Sequence, residues 1–176
     1  GGLMDGKLSF GVSAYVPAGI GVEYDAADVA FLNPGVSINW KSKIGMFEFA
    51  PGVAYTPIPQ LTIGAAFYLD YIMMNMWRGV PLGGPNFGRY TEESTGITYS
   101  GVVGLKVRPI DMLSFGVIFK PKRTVTMSGT AEIPEVAGMM PTTSDFDREM
   151  AWPMEVRGGG AVMPIPGLTF AADARY

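Results

Sequence analysis

A four-residue strand opening recurs along the chain. It reads Leu8-Ser9-Phe10-Gly11, Leu61-Thr62-Ile63-Gly64, Leu113-Ser114-Phe115-Gly116 and Leu168-Thr169-Phe170-Ala171, at spacings of 53, 52 and 55 residues. Three openings follow Pro57-Ile58-Pro59-Gln60, Pro109-Ile110-Asp111-Met112 and Pro164-Ile165-Pro166-Gly167, and the first follows Asp5-Gly6-Lys7. Proline has no N–H to give a ladder and glycine tolerates turn geometry, so these are short turns at one end of a sheet.

On both sides of the turns the side chains alternate. Phe47, Phe49, Pro51, Val53 and Tyr55 share one phase, opposite Met46, Glu48, Ala50, Gly52 and Ala54. Leu61, Ile63, Phe67, Leu69 and Tyr71 oppose Thr62, Gly64, Ala66, Tyr68 and Asp70, and the pattern continues through Ile97, Tyr99, Val103, Leu105, Phe115, Val117 and Phe119. In the last pair, Trp152, Met154, Val156 and Val162 are placed with the bulky phase. Period two over more than eight residues predicts strands.

The expected strands are 8–16, 45–57, 61–73, 95–108, 113–128, 149–163 and 168–176 within one domain, 1–176. Long loops are expected at about 17–44, 74–94 and 129–148. Long strands with short turns on one side and long loops on the other are the pattern of a transmembrane β-barrel in a bacterial outer membrane. A propeller blade would need four short strands per period. A soluble sandwich would bury the same apolar phase, but here Gly, Ala, Ser and Thr dominate the other face, which suits a tight barrel lining better than a solvated surface.

The fold class is therefore all-β, an antiparallel transmembrane barrel. Seven strands are an odd number, and an open sheet leaves its edges unpaired in hydrocarbon, so remaining barrel strands are expected as partners.

Charged residues make up 16% of the chain, against about 25% in soluble domains. A net charge of −3 offers no basic footprint for nucleic acid. With no cysteine and no histidine, thiolate chemistry and His-based metal or hydrolase sites are excluded. No phosphate-binding or dinucleotide motif occurs, so no catalytic residue, metal site or cofactor is assigned. Asp145, Asp147 and Glu149 form an acidic run without an EF-hand pattern, which reads as a solvated loop.

Taken together, Leu8-Ser9-Phe10-Gly11 leading to Pro17-Ala18-Gly19-Ile20-Gly21-Val22-Glu23-Tyr24, Ala50-Pro51-Gly52-Val53-Ala54-Tyr55 before its proline turn, and the run from Trp152-Pro153 to Asp173-Ala174-Arg175-Tyr176 resemble the outer membrane transport family of long-chain fatty acid and aromatic hydrocarbon channels. The resemblance implies a seven-strand portion of a fourteen-stranded barrel, plugged by an N-terminal hatch, with a lateral opening in its wall. The family's Asn-Pro-Ala hatch start is absent; Asn33-Pro34-Gly35 lacks the alanine. It further implies passive transport of hydrophobic small molecules across the outer membrane, with outer-membrane lipid as the surroundings. The alternative is a structural or secretion-system barrel that binds a protein partner.

Candidate substrate contacts are the apolar residues of the expected loops: Phe31, Leu32, Met73, Met74, Met76, Trp77, Met139 and Met140. Flexible thioethers accept varied apolar shapes; the competing reading is packing of the loops on the barrel rim. Expected lumen-facing charges are Glu48, Asp70, Lys106, Arg108, Lys120, Glu155, Arg157 and Asp173, and structural pairing is the simplest role for them.

Overall fold

The computed structural model describes residues 2–3, 6–24, 40–83, 86–134 and 140–176. The described residues form one antiparallel sheet. Its strands are β1 (Gly2–Leu3), β2 (Leu8–Tyr24), β3 (Trp40–Ile58), β4 (Leu61–Gly83), β5 (Asn86–Ile110), β6 (Leu113–Lys120), β7 (Arg123–Ile133), β8 (Thr142–Trp152), β9 (Glu155–Ile165) and β10 (Leu168–Arg175). The backbone path runs β1-β2-β3-β4-β5-β6-β9-β10, while β7 pairs with β5 and β8 above the β6 and β9 level. Because β7 continues β6 and β8 leads into β9, the wall has seven long strands and curls into a half-barrel.

The short turns sit where the sequence places them. Gly167 closes the β9–β10 turn at φ +87°, a conformation that costs glycine little. Neighbouring turns are also tied together: the Thr56 N–H donates to the Lys7 carbonyl at 2.7 Å, Arg108 N–H to Gln60 at 2.7 Å, and Met163 N–H to Met112 at 2.8 Å.

The expected loops are shorter than the sequence reading has them. The segment 74–94 belongs almost wholly to a hairpin, with β4 and β5 paired from Leu61↔Val107 to Gly83↔Asn86. Strand β2 extends to Tyr24, β3 begins at Trp40, β7 reaches Ile133 and β8 starts at Thr142. Backbone pairing carries these strands past the point where greasy alternation ends, and alternation marks only the greasy part of each strand. The acidic residues Asp145, Asp147 and Glu149 accordingly lie exposed on β8 rather than in a loop.

The two faces differ as the alternation predicts. Phe47, Phe49, Val53, Ile63, Phe67, Leu105 and Phe115 are exposed, whereas Met46, Glu48, Ala50, Asp70 and Ile72 are buried between them in sequence. This reverses a water-soluble sheet protein, in which the bulky apolar set fills the interior.

Away from the short turns and the β4–β5 hairpin end, three strands break this phase, each beside a proline. Along β2 the pairing goes from Tyr15↔Glu48 to Ala18↔Met46, three steps opposite two, at Val16 and Pro17. Eight steps of β5, Thr95 to Val103, face nine on its neighbour, Ser128 back to Phe119, with the break at Pro121 and Lys122. The adjoining strand breaks opposite, at Pro153 and Met154, because Lys120 pairs with Glu155 and Arg123 with Trp152. One extra residue turns every later side chain to the other face. Trp152, placed with the outward phase by simple alternation, therefore turns inward and is half-buried beside Arg123.

Above the breaks the concave side is packed. Met46 of β3, Ile72 of β4 and Val125 and Met127 of β7 form a buried cluster, flanked by Ile44, Met74, Met150 and Trp152. Close approach of β5 and β7 depends on glycine: a Cβ on Gly129 would lie 2.0 Å from the Glu93 carbonyl oxygen and 2.6 Å from Ser94 Cα. Gly129→Ala is expected to split β5 from β7. Hydrogen exchange should speed up at residues 91–95 while residues 103–107, paired to β6, keep their protection.

Candidate functional site

Each strand delivers its inward side chains at a fixed height, so partners in register meet in layers. Tyr15, Glu48 and Asp70 are in register across β2, β3 and β4. Across the concave side, Arg123 is aimed at them by the break that precedes it. Its guanidinium hydrogen-bonds Asp70 and lies 3.7 Å from Glu48, while the Tyr15 hydroxyl donates to Glu48. Both carboxylate residues are buried, Glu48 at 3% and Asp70 at 0% exposure. Arg123 also packs over the Trp152 ring at 5.3 Å, and the neighbouring Lys120 ammonium lies 4.6 Å over Tyr68. Two acids thus face two cations in one layer.

A second ionic pair lies higher, toward the β4–β5 hairpin end. Glu92, 2% exposed, takes Arg148 at 2.6 Å and accepts from the Tyr90 hydroxyl at 3.1 Å. Arg148 also points an N–H at the Met74 sulfur at 3.7 Å. The methionine and isoleucine cluster fills the space between these two layers.

Below the breaks the lining is small and open. Gly64, Gly104, Gly116 and Gly159 share the concave face with Lys106 and Asp173, around a cavity of about 700 Å³. Glu155 forms ion pairs with Arg157 at 2.7 Å and Arg175 at 2.8 Å at the top of this region. At the break itself a smaller cavity of about 180 Å³ touches Tyr68, Lys120, Arg123, Trp152 and Glu155.

Of the expected lumen charges, Glu48 and Asp70 meet in one cluster and Glu155 and Arg157 in another. Lys120 stacks on Tyr68, while Lys106, Arg108 and Asp173 are exposed nearer the short turns. The described ones among the expected apolar contacts do not share one face. Phe31, Leu32 and Met139 lie outside the described residues. Met74 and Met76 are half-buried on the concave phase of β4, Met73 is exposed on the opposite phase, and Met140 is exposed before β8. Trp77 is held on the outer phase between Lys41 at 3.8 Å and Arg89 at 4.7 Å.

Sequence reasoning missed Arg123, the centre of the site, together with Tyr15, Trp152, Glu92 and Arg148. A signal was present: Pro121 and Pro153 fall inside expected strands and Pro17 directly after one, and a proline in or beside a strand can mark a bulge after which the phase must be recounted. Among the described residues, no group of three acidic side chains is placed to hold a metal ion.

An open, curled antiparallel wall with bulky apolar residues outside and ions inside is part of a β-barrel. The chain superposes on the toluene transporter TbuX of Ralstonia pickettii with a TM-score of 0.76 at 18% identity, over 97% of this chain and 51% of that one. The toluene transporter TodX of Pseudomonas putida gives 0.78 at 18% identity, over 98% and 52%. A FadL homologue of Pseudomonas aeruginosa gives 0.77 at 13% identity, over 99% and 46%. The chain therefore spans about half the length of the solved structures it matches, and at these identities the likeness is one of fold. No protein-family model and no curated protein sequence matches it.

Arg123 holds two buried carboxylates, and removing it strands them. Arg123→Met is expected to lower stability by about 3–5 kcal/mol, read as a lowered denaturant midpoint. Adding Asp70→Asn and Glu48→Gln should restore most of the loss.

Proposed function

We propose that this chain is part of the wall of a bacterial outer-membrane channel through which hydrophobic small molecules pass passively. The observation that carries this reading is the height of the exposed apolar belt. On β4 the outward residues run from Leu61 through Ile63, Phe67, Leu69 and Tyr71 to Met73 before Asn75 ends the belt. Twelve steps at the strand rise are roughly 40 Å, or about 28 Å in height at a 45° tilt, close to the apolar band of outer-membrane barrels. Above that level the same phase turns polar: Lys43 meets Glu23 at 3.8 Å, Asn75 donates to Glu93 at 2.6 Å, and Lys41 and Arg89 cover Trp77. Lipid accounts for the first set and water for the second.

The solved structures of like fold include toluene transporters and a monoaromatic hydrocarbon channel, which supports a hydrophobic cargo here. Inside, Met46, Met74, Met127 and Met150 supply deformable apolar surface for such a solute. The cargo meets this surface after capture near the β4–β5 hairpin end, and the strands that complete the barrel lie outside this chain.

Full-length protein in vesicles with a lipopolysaccharide leaflet should admit toluene faster than protein-free vesicles. Equal rates with a correctly folded barrel would overturn transport. A partner protein retained through purification, with no flux, would favour a secretion or structural role.

A further inference from the structure

The concave side contains a packed apolar layer held between two ionic layers, and the ions in those layers are already matched. Each described ionisable side chain with less than 5% exposure is a carboxylate: Glu48, Asp70 and Glu92. Each cation within reach has an engagement. Arg123 serves Asp70 and Glu48, Arg148 serves Glu92, and Lys120 lies over Tyr68 next to the same acids. Among the described residues, an anionic headgroup arriving at this height meets no spare cation. It could take Arg123 or Arg148 only by leaving a buried carboxylate unpaired, which is the costly outcome for a charge out of water. An uncharged molecule meets methionine, isoleucine and valine side chains and displaces nothing ionic.

We infer that the Glu48–Asp70–Arg123 and Glu92–Arg148 layers make this wall selective for neutral apolar molecules over amphiphiles bearing a carboxylate. The inference rests on the transport reading above and narrows its cargo to the uncharged class. The acids are the specificity-determining groups: they occupy the guanidinium groups that a carboxylate ligand would otherwise use in a bidentate, charge-assisted contact.

The test compares two ligands of equal chain length, dodecan-1-ol and dodecanoate, as competitors of the neutral fluorophore N-phenylnaphthylamine bound to the detergent-solubilised full-length protein. At alkaline pH, where the acid is ionised, the alcohol should displace the probe at about tenfold lower concentration than the carboxylate, a difference expected of one unmatched charge. Asp70→Asn with Glu48→Gln frees Arg123, and Glu92→Gln frees Arg148 nearer the rim. Either change should close the gap by strengthening dodecanoate alone. Because Glu92→Gln touches a different layer, it keeps the test decisive where the double variant fails to fold. Equal displacement by the two ligands in the unmodified protein, with probe bound, overturns the selectivity and leaves the transport reading standing. Failure of the folded protein to bind the probe overturns both.

Discussion

The period of two along a paired strand governs this structure. Backbone N–H and C=O groups must find partners in neighbouring strands, and once they do, the face of each side chain is fixed by its count along the ladder. A barrel wall makes that count consequential, because its two faces meet different surroundings. Below the breaks the chain satisfies the requirement with bulky residues outward and mostly small or ionic ones inward along β3, β4 and β5. The departures are informative: Pro17, Pro121 and Pro153 sit at the height of Glu48, Asp70 and Arg123, so the bulges and the ionic cluster are one construction. Without the extra residue before β7, Arg123 would face outward and the two acids would have no guanidinium.

The interior consequently has two characters. Below the breaks, glycines and alanines leave open volume lined by scattered charge. Above them, side chains from β3 and β4 reach those from β7 and β8, and ionic contacts bracket an apolar filling. The upper region resists both water and bare ions, since burying either an unpaired charge or an unsatisfied polar group is costly. On the proposed transport reading, passage there would mean parting soft thioether contacts rather than breaking a rigid aliphatic core.

Much of this was legible in the residues. The turns before Leu61, Leu113 and Leu168 and the faces of β3, β4 and β5 follow directly from proline, glycine and alternation. Strand length was not, because Lys41, Asn75 and Glu93 end the greasy phase while backbone pairing continues beyond them. A hydropathy signal reports where lipid contact stops, and hydrogen bonding does not depend on lipid. The site was half legible: Glu48 and Asp70 follow from uninterrupted counting, but Arg123 and Trp152 lie beyond breaks where counting restarts. That Arg123 reaches two acids across the concave side is a property of curvature, which no local pattern encodes.

The opposed breaks at Pro121 and Pro153 have a hereditary implication. Because Lys120 matches Glu155 and Arg123 matches Trp152, the hairpin stays in step only while both strands carry the same surplus. Losing one residue from either would slide its partner out of step and send half of one strand's lining into the surrounding solvent or lipid. Lineages that shed one break would have to shed the other as well, so the two prolines and their neighbours should come and go together as a single inherited unit.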